Sequence, residues 1–506
     1  MQTTETKNTK PLRNNPHIYQ INLMTWLNEL SNREQYNMSL TTVPGKEWRL
    51  LKDWGMDIVW LMGMWKRSPD SMARARGEPL LVEECRTILP DFVMEDIAGS
   101  PYAVADYTPD PTFGSFDNLK SLKKTLEDLG LLLVLDFVPN HTACDHPWIL
   151  KHSDFYVRDR AAGRHDCGEG FFRAGRDPQS PCIAHGKDPY FPAWTDTAQL
   201  DYSNEECIHA VIETLSNLTR YCHGLRCDMA MLLIKDVFNR TWGPYLQEPL
   251  CTQEFWPTAI NTVKSHSDRF LFLAESYWGT DHNLRDQGFD FTYDKTLYDL
   301  LAEAHIEGLR KHLSTPFESQ RKQIRFLENH DEPRALQTFG PERIRCAMII
   351  HGTLPGMRLW QHGQWQGNRI RVPVQLRRGP QEPVQKDLES FCDLFLEEID
   401  RPVFHKGKWE LCNTSGWEDN QSHENLLAWC WKLEKERRLI AVNFSFSPAQ
   451  GYVKLPLNWL PKGEQIFLKD PLKGESFVRP SAHLEQSGLY VGLESGDYHF
   501  FKIDKA

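Results

Sequence analysis

The most regular pattern along this chain is a series of short apolar runs that end abruptly on charged or polar residues. Leu132-Leu133-Val134-Leu135 runs into Asp136, Asn140 and His141, and Gly224-Leu225 runs into Arg226 and Asp228. Phe270 to Ala274 runs into Glu275, and Phe326-Leu327 runs through Glu328 into Asn329, His330 and Asp331. Continuous apolar runs of this length read as strands buried on both faces, the habit of parallel sheets. Further runs stand at Ile18–Asn22, Ile58–Met62, Phe289–Tyr293 and Arg358–Trp360. Between them lie stretches of helical period, at Glu47–Trp54, Leu119–Leu129, Cys207–Tyr221, after Lys235, at Leu297–Ala304 and at Lys386–Ile399. Eight strand candidates, most followed by a helix, predict a closed (β/α)8 TIM barrel with its active site at the C-terminal ends of the strands. Those ends are where the polar residues fall. An open doubly wound sheet is the weaker alternative, because no Gly-rich phosphate loop follows any strand.

The pattern also divides the chain. Residues 1–15 are polar and read as a flexible tail. The barrel takes 16–141 and 202–401. Residues 142–201, rich in Gly, Pro, Asp and aromatics and without a clean period, read as a loop-rich subdomain inserted after the third strand. From 402 to 506 the pattern changes to short strands such as Leu426–Trp431, Leu439–Phe444 and Tyr498–Phe501, which predict an all-β C-terminal sandwich.

Composition narrows the classes. A chain of 506 residues with 40 % hydrophobic and 25 % charged positions is an ordinary globular protein. Its net charge of -11 argues against nucleic acid as a partner. No stretch approaches the roughly 20 apolar residues of a membrane span, and Met1–Asn15 lacks a signal-peptide core. The 12 cysteines include no Cys-x-x-Cys pair, so free buried thiols in a reducing, cytoplasmic setting are expected and a zinc site is not. Cys227 neighbours Asp228, but strand alternation turns it to the opposite face.

The four strand ends, in this order, resemble the α-amylase superfamily of retaining α-glycosidases and transglycosidases, glycoside hydrolase family thirteen. Asp136–His141, Gly224–Asp228, Ala274-Glu275 and Phe326–Asp331 are similar to its four marker regions, and Tyr102–Asp106 to a further one. The resemblance implies Asp228 as nucleophile, Glu275 as acid/base and Asp331 as the carboxylate that holds sugar hydroxyls. It implies that Arg226 orients Asp228, that His141 and His330 bind hydroxyls, and that Tyr102 stacks on the reacting ring. Asp136 would support Arg226, and Asn140 would close a turn. Trp148 and Trp278 are candidates for further sugar subsites.

Retention requires two carboxyls about 5 Å apart, one attacking and one donating a proton. The donor must start protonated, so its pKa is expected to be raised by burial or by neighbouring negative charge. Where many α-amylases carry Lys and His after the nucleophile, this chain has Met231 and Leu232. This departure tells against long-chain endo-amylase activity. The family's calcium site would use Asn140, but no Asp cluster completes it, so no metal is expected, with calcium the alternative. The expected function is a retaining α-glycosidase acting on α-glucosides or short α-glucans. The alternatives are a transglycosidase and a non-catalytic sugar-binding relative. The partner in each case is carbohydrate.

Overall fold

Eight parallel strands close into a barrel in the computed structural model, which describes residues 11–159, 167–246, 252–456, 459–461 and 463–505. They are β1 (His17–Asn22), β2 (Ile58–Met62), β3 (Leu132–Phe137), β4 (Gly224–Cys227), β5 (Leu271–Ala274), β6 (Phe291–Tyr293), β7 (Gln323–Arg325) and β8 (Met357–Gln361). Each pairs in parallel with its sequence neighbours, and β1 pairs with both β2 and β8 to close the ring. The open-sheet alternative is therefore excluded.

Side-chain alternation sorts each strand between two layers. Ile18, Ile58, Trp60, Val134, Leu271, Leu273, Ile324, Met357 and Leu359 fill the barrel interior. Tyr19, Ile21, Val59, Leu61, Leu133, Leu135, Leu225, Cys227 and Phe272 face the surrounding helices. Toward the C-terminal ends the interior parity passes from apolar residues to Gln20, Asp136 and Arg226, all buried. Cys227 lies in the outer layer, where burial pushes its thiol pKa well up, so it is no nucleophile. A Cβ on Gly224 would stand 2.7 Å from Leu271 Cβ and backbone oxygen, so only glycine lets β4 lie this close to β5.

Two differences from the predicted elements have local causes. The helix expected from Leu119 starts earlier, spanning Phe116–Asp128, because Ser115 and Asn118 form a reciprocal cap. Strand β7 is shorter than its apolar run. The buried Arg325 side chain reaches Asp294 Oδ2 (2.5 Å) and the Pro355 carbonyl (2.6 Å), and the chain then leaves the sheet before Phe326.

Within 142–201, His141–Ala143 pairs antiparallel with Thr197–Gln199. A small sheet is built from Arg158–Asp159, Cys182–Ala184 and Phe171–Arg173. Here Cys167 and Cys182 form a disulfide, which corrects the expectation of free thiols at this pair, while nine other cysteines among the described residues are free and buried. The C-terminal region is one continuous antiparallel sheet of eight strands, from Lys408–Ser415 to Tyr498–Lys505. One face, with Leu427, Trp429, Trp431, Ile440 and Phe500, joins the main core. The other, with Leu426, Ala428, Leu439 and Ala441, encloses its own core with Ile466 and Val491.

Residues 1–10 of the expected tail lie outside the described residues. Its last residues are not a tail: Arg13 bonds Asp57 (2.8 Å) and Asp400 (2.6 Å), and Asn15 Oδ1 accepts from Gly356 N (2.9 Å), fastening the N-terminus beneath the barrel. Among the described residues no helix is long and apolar enough to cross a membrane.

Candidate active site

The site is built around one buried guanidinium. Arg226, on β4, points into the barrel, and its Nη1 donates to Asp228 Oδ1 at 2.6 Å. Its Nη2 lies 2.5 Å from Glu275 Oε1, an ion pair across the tips of β4 and β5. The Arg226 Nε donates to Tyr293 Oη at 3.3 Å, and the rings of Trp60, Tyr102 and Tyr293 surround it at 5.3 to 5.7 Å. Burial alone would lower its pKa, but Glu275, Tyr293, Tyr102 and Asp228 outweigh burial and hold it well above the usual arginine value.

Glu275 is held on all sides. Its Oε2 accepts from Met229 N at 2.6 Å and its Oε1 from Tyr277 Oη at 3.2 Å. Burial pushes its pKa up to about 7; Asp228 and Asp331 add to the rise and Arg226 opposes it. Asp331 differs: 46 % of its side chain is exposed to the cleft, although protein closes around the rest. Burial would raise its pKa, but His330, by charge and hydrogen bond, together with Arg226 and Arg371, holds it below the usual carboxylate range. The three carboxylates thus converge, one poised to hold a proton and one held ionised.

A second cluster forms the opposite wall. His330 Nδ1 lies 2.8 Å from Gln20 Nε2, and its Nε2 faces Tyr102 Oη (2.7 Å) and Asp331 Oδ2 (3.0 Å). The Tyr102 ring stacks on His330, with centroids 5.3 Å apart. Asp136 lies beneath. Its Oδ1 accepts from Trp60 Nε1 (3.1 Å) and its Oδ2 from Gly63 N (2.9 Å), while Arg226 Nη1 is 4.0 Å away. Asp136 is therefore a remote support for Arg226, which takes its close partners from Asp228 and Glu275. Burial, opposed mainly by Arg226, pushes the Asp136 pKa up to about 6. His141 is buried beside Trp194, with ring centroids 5.2 Å apart; burial lowers its pKa and Asp228 opposes that shift.

Asn140 pairs with a side chain of the inserted segment. Its amide donates to Gln199 Oε1 (3.1 Å) and its Oδ1 accepts from Gln199 Nε2 (3.0 Å), so the two carboxamides satisfy one another. Among the described residues no three His, Cys, Asp or Glu side chains gather as metal ligands. Met231 and Leu232 are buried in the short helix Ala230–Leu233 and add nothing polar to the cleft. Trp278 is 41 % exposed near Glu275 and touches Tyr190, with centroids 4.8 Å apart, whereas Trp148 packs on His146 and Phe155. A cavity of about 820 Å³ opens beside His330, lined in part by Asn22, Glu29, His362 and Arg371; none of the three carboxylates lines it. Sequence reasoning missed Gln20, Tyr277, Tyr293 and the backbone N–H of Met229. Of these only Gln20 carried a signal, as a polar residue at interior parity in an apolar strand.

The chain is 22 % identical over 329 residues to Maltase A1 of Drosophila melanogaster, covering 53 % of this chain and 56 % of that one. It is 25 % identical over 308 residues to Trehalose-6-phosphate hydrolase of Escherichia coli (strain K12), covering 53 % and 55 %. The alignments thus take in little more than half the length of these curated relatives. In structure it is similar to a noncanonic maltogenic α-amylase, AmyB, from Thermotoga neapolitana, with a TM-score of 0.67 at 18 % identity over 96 % of this chain and 98 % of that one, a likeness of fold. The family model described as "Alpha amylase, catalytic domain" matches residues 47–370, well over half of the sequence. The closed barrel, the ordered strand tips and this match together make the chain a member of the α-amylase family, glycoside hydrolase family thirteen.

Proposed function

We propose that the cleft hydrolyses α-glucosidic bonds of α-glucosides or short α-glucans, with retention, by double displacement. The observation that carries this reading is the single guanidinium of Arg226 held between Asp228 (2.6 Å) and Glu275 (2.5 Å). One planar group touching both brings the two carboxyls near one another, an arrangement compatible with the spacing of about 5–5.5 Å of a retaining pair. In the first step the Asp228 carboxylate attacks the anomeric carbon while Glu275 gives its proton to the departing oxygen. In the second, the Glu275 carboxylate takes a proton from water, whose oxygen attacks the same carbon and releases Asp228. Asp331, held ionised, would bind sugar hydroxyls and favour the oxocarbenium-like state. Tyr102, His330 and His141 would hold the ring. The relatives named as a maltase and as a trehalose-6-phosphate hydrolase support small α-glucosides over long chains, as does the apolar Met231-Leu232 pair.

On this reading the barrel (16–141 and 202–401) supplies the chemistry, the insert (142–201) sets specificity, and 402–506 braces the barrel. The mutual engagement of Asn140 and Gln199 supports action without calcium, and activity is expected to survive exhaustive EDTA treatment. The nine buried free thiols support a cytoplasmic setting. Cys167–Cys182 is the exception, so thiol labelling of fresh lysate, with that pair found reduced, is the expected result.

The test is a proton NMR time course with α-linked disaccharides and maltooligosaccharides. Early release of the α-anomer and shorter products is the expected result. Longer products would replace hydrolysis by transfer to a sugar acceptor. Silence, with binding retained, would replace it by a sugar-binding role.

A further inference from the structure

A second cavity, of about 410 Å³, opens on the outer side of the barrel, and neither the three carboxylates, Arg226, Tyr102 nor the two site histidines line it. Val138 and Pro139, which follow β3, form part of its wall, and Val211 and Thr214 of the helix Glu205–Leu218 form another part. Phe137 reaches it from the helix-facing layer of the barrel. The short helix Trp148–Lys151 and Asp106 of the strand Val104–Pro109 complete it. Lys151 and Asp106 are exposed, so the cavity is open to solvent on their side. A space of this size falls in the range of small-molecule sites.

Its polar groups lack protein partners. His146 is only 8 % exposed, and its Nδ1 accepts from Trp148 N at 3.1 Å. A backbone N–H can only donate, and burial lowers the ring's pKa to about 4, so the imidazole is neutral and carries its proton on Nε2. That N–H has no acceptor among the described residues, and neither has the indole N–H of Trp148. The Lys151 ammonium and the Asp106 carboxylate make no hydrogen bond or ion pair among the described residues either. A donor as deeply set as His146 Nε2 is costly to leave unpaired. Trp148 is held edge-on by His146 and Phe155, with centroids 4.9 and 5.4 Å away, so its ring is a fixed wall of the cavity.

We propose that this cavity is a second carbohydrate site, separate from the cleft, which takes a neutral mono- or disaccharide with one ring beside Trp148. A sugar hydroxyl both donates and accepts. The cavity offers imidazole, indole and ammonium donors and one carboxylate acceptor around an apolar wall, which suits the C–H face of a pyranose. An anionic ligand would set its charge against Asp106 and a cationic one against Lys151; a neutral polyol avoids both conflicts. Trp148 is thereby assigned to a site of its own and not to a subsite of the cleft. This assignment rests on the cavity and its free polar groups, not on the glycosidase reading.

The experiment is calorimetric titration of the full chain with maltose, in the Asp228→Asn background so that the sugar is not consumed. Because Trp148 also packs on Phe155, the decisive variant is the double substitution Asp106→Ala with Lys151→Ala, at two exposed positions whose loss leaves the fold intact. Two maltose molecules per chain are expected, and the double substitution should weaken one of them about tenfold or more while leaving the other unchanged. In the otherwise wild-type chain the same double substitution should leave KM and kcat for p-nitrophenyl α-glucoside unchanged. Maltose binding that does not respond to the double substitution, whether at one site or two, overturns the proposal. So does a rise in KM that parallels the lost affinity, which would make the cavity part of the cleft. A single maltose site that weakens as expected, without turnover of any glucoside, supports the second site and removes only the glycosidase reading.

Discussion

Replacing Glu275 by Gln is expected to separate catalysis from stability in a way that depends on pH. The carboxyl has an ordinary pKa of 4.5, and burial takes it to about 7 in the fold. Below pH 4.5 both folded and unfolded chains hold the proton, and the group contributes no pH dependence. Between 4.5 and 7 the unfolded chain releases its proton while the folded chain keeps it, so folding stability falls as pH rises. At about 1.4 kcal/mol per pH unit the loss reaches about 3 kcal/mol by pH 7 and then levels off. A Gln side chain does not titrate and has no such loss. It does carry a constant cost of about 1–3 kcal/mol, because its NH2 must face either the Met229 N–H or the Tyr277 hydroxyl and the Arg226 cation that the carboxyl oxygens now meet. The gap between variant and wild type should therefore close, and then reverse or nearly so, from pH 4.5 to 8. Urea midpoints at a series of pH values, followed by tryptophan fluorescence, read that gap. A gap that is flat with pH, or that widens against the variant as pH rises, refutes the reasoning. The same substitution should lower kcat by roughly 10²- to 10⁴-fold, less for substrates whose leaving group needs no proton. Wild-type kcat should fall as pH rises through about 7, when Glu275 loses the proton it must donate.

Asp228→Asn is expected to remove turnover by roughly 10³- to 10⁵-fold while maltose binding persists in calorimetry; retained turnover would place the nucleophile elsewhere. Arg226→Lys, which cannot span both carboxyls, should lower kcat about 10²-fold with little change in KM, read by initial rates. Tyr102→Phe keeps the ring over the site but loses the contact to His330 (2.7 Å), so KM should rise about fivefold, corresponding to about 1 kcal/mol. In oxidised protein, Cys182→Ser opens a loop of 15 residues and should cost about 3 kcal/mol, seen as faster proteolysis within 142–201 than in the parent.

The barrel was legible because its signal is local. Each apolar run reports a strand by itself, and alternation then decides which residues face inward, so the convergence of Asp136, Arg226, Asp228 and Glu275 follows from parity and order. Contacts that depend on closure were not legible. Gln20 and His330 are 310 residues apart, and nothing in either neighbourhood announces the contact that joins them. Arg13 reads as part of a polar tail until Asp57 and Asp400 are brought beneath it. The Met231-Leu232 pair was legible as a departure from the family. Its physical sense appears only in the fold, where both side chains are buried and leave that flank of the cleft to other groups.

That flank also explains two unusual backbone conformations. Met229 and Trp278, neither of them glycine, have φ of 44° and 57°, a left-handed geometry that costs about 1 kcal/mol or more for such side chains. They follow Asp228 by one residue and Glu275 by three. At Met229 the turn aims its N–H at Glu275 Oε2 and sends the chain directly into the short helix that buries Met231 and Leu232. At Trp278 it leaves the indole 41 % exposed beside Tyr190, three residues past Glu275. An N–H aimed at Glu275 favours its ionised form, as does Arg226, yet burial dominates and the carboxyl still reaches about 7. The opposing contacts hold Glu275 near neutrality, the range that suits the proposed role of donating a proton in one step and accepting one in the next. Strain in the backbone at β4 is thus tied to the protonation balance at β5, and through Arg226 both are tied to Asp228.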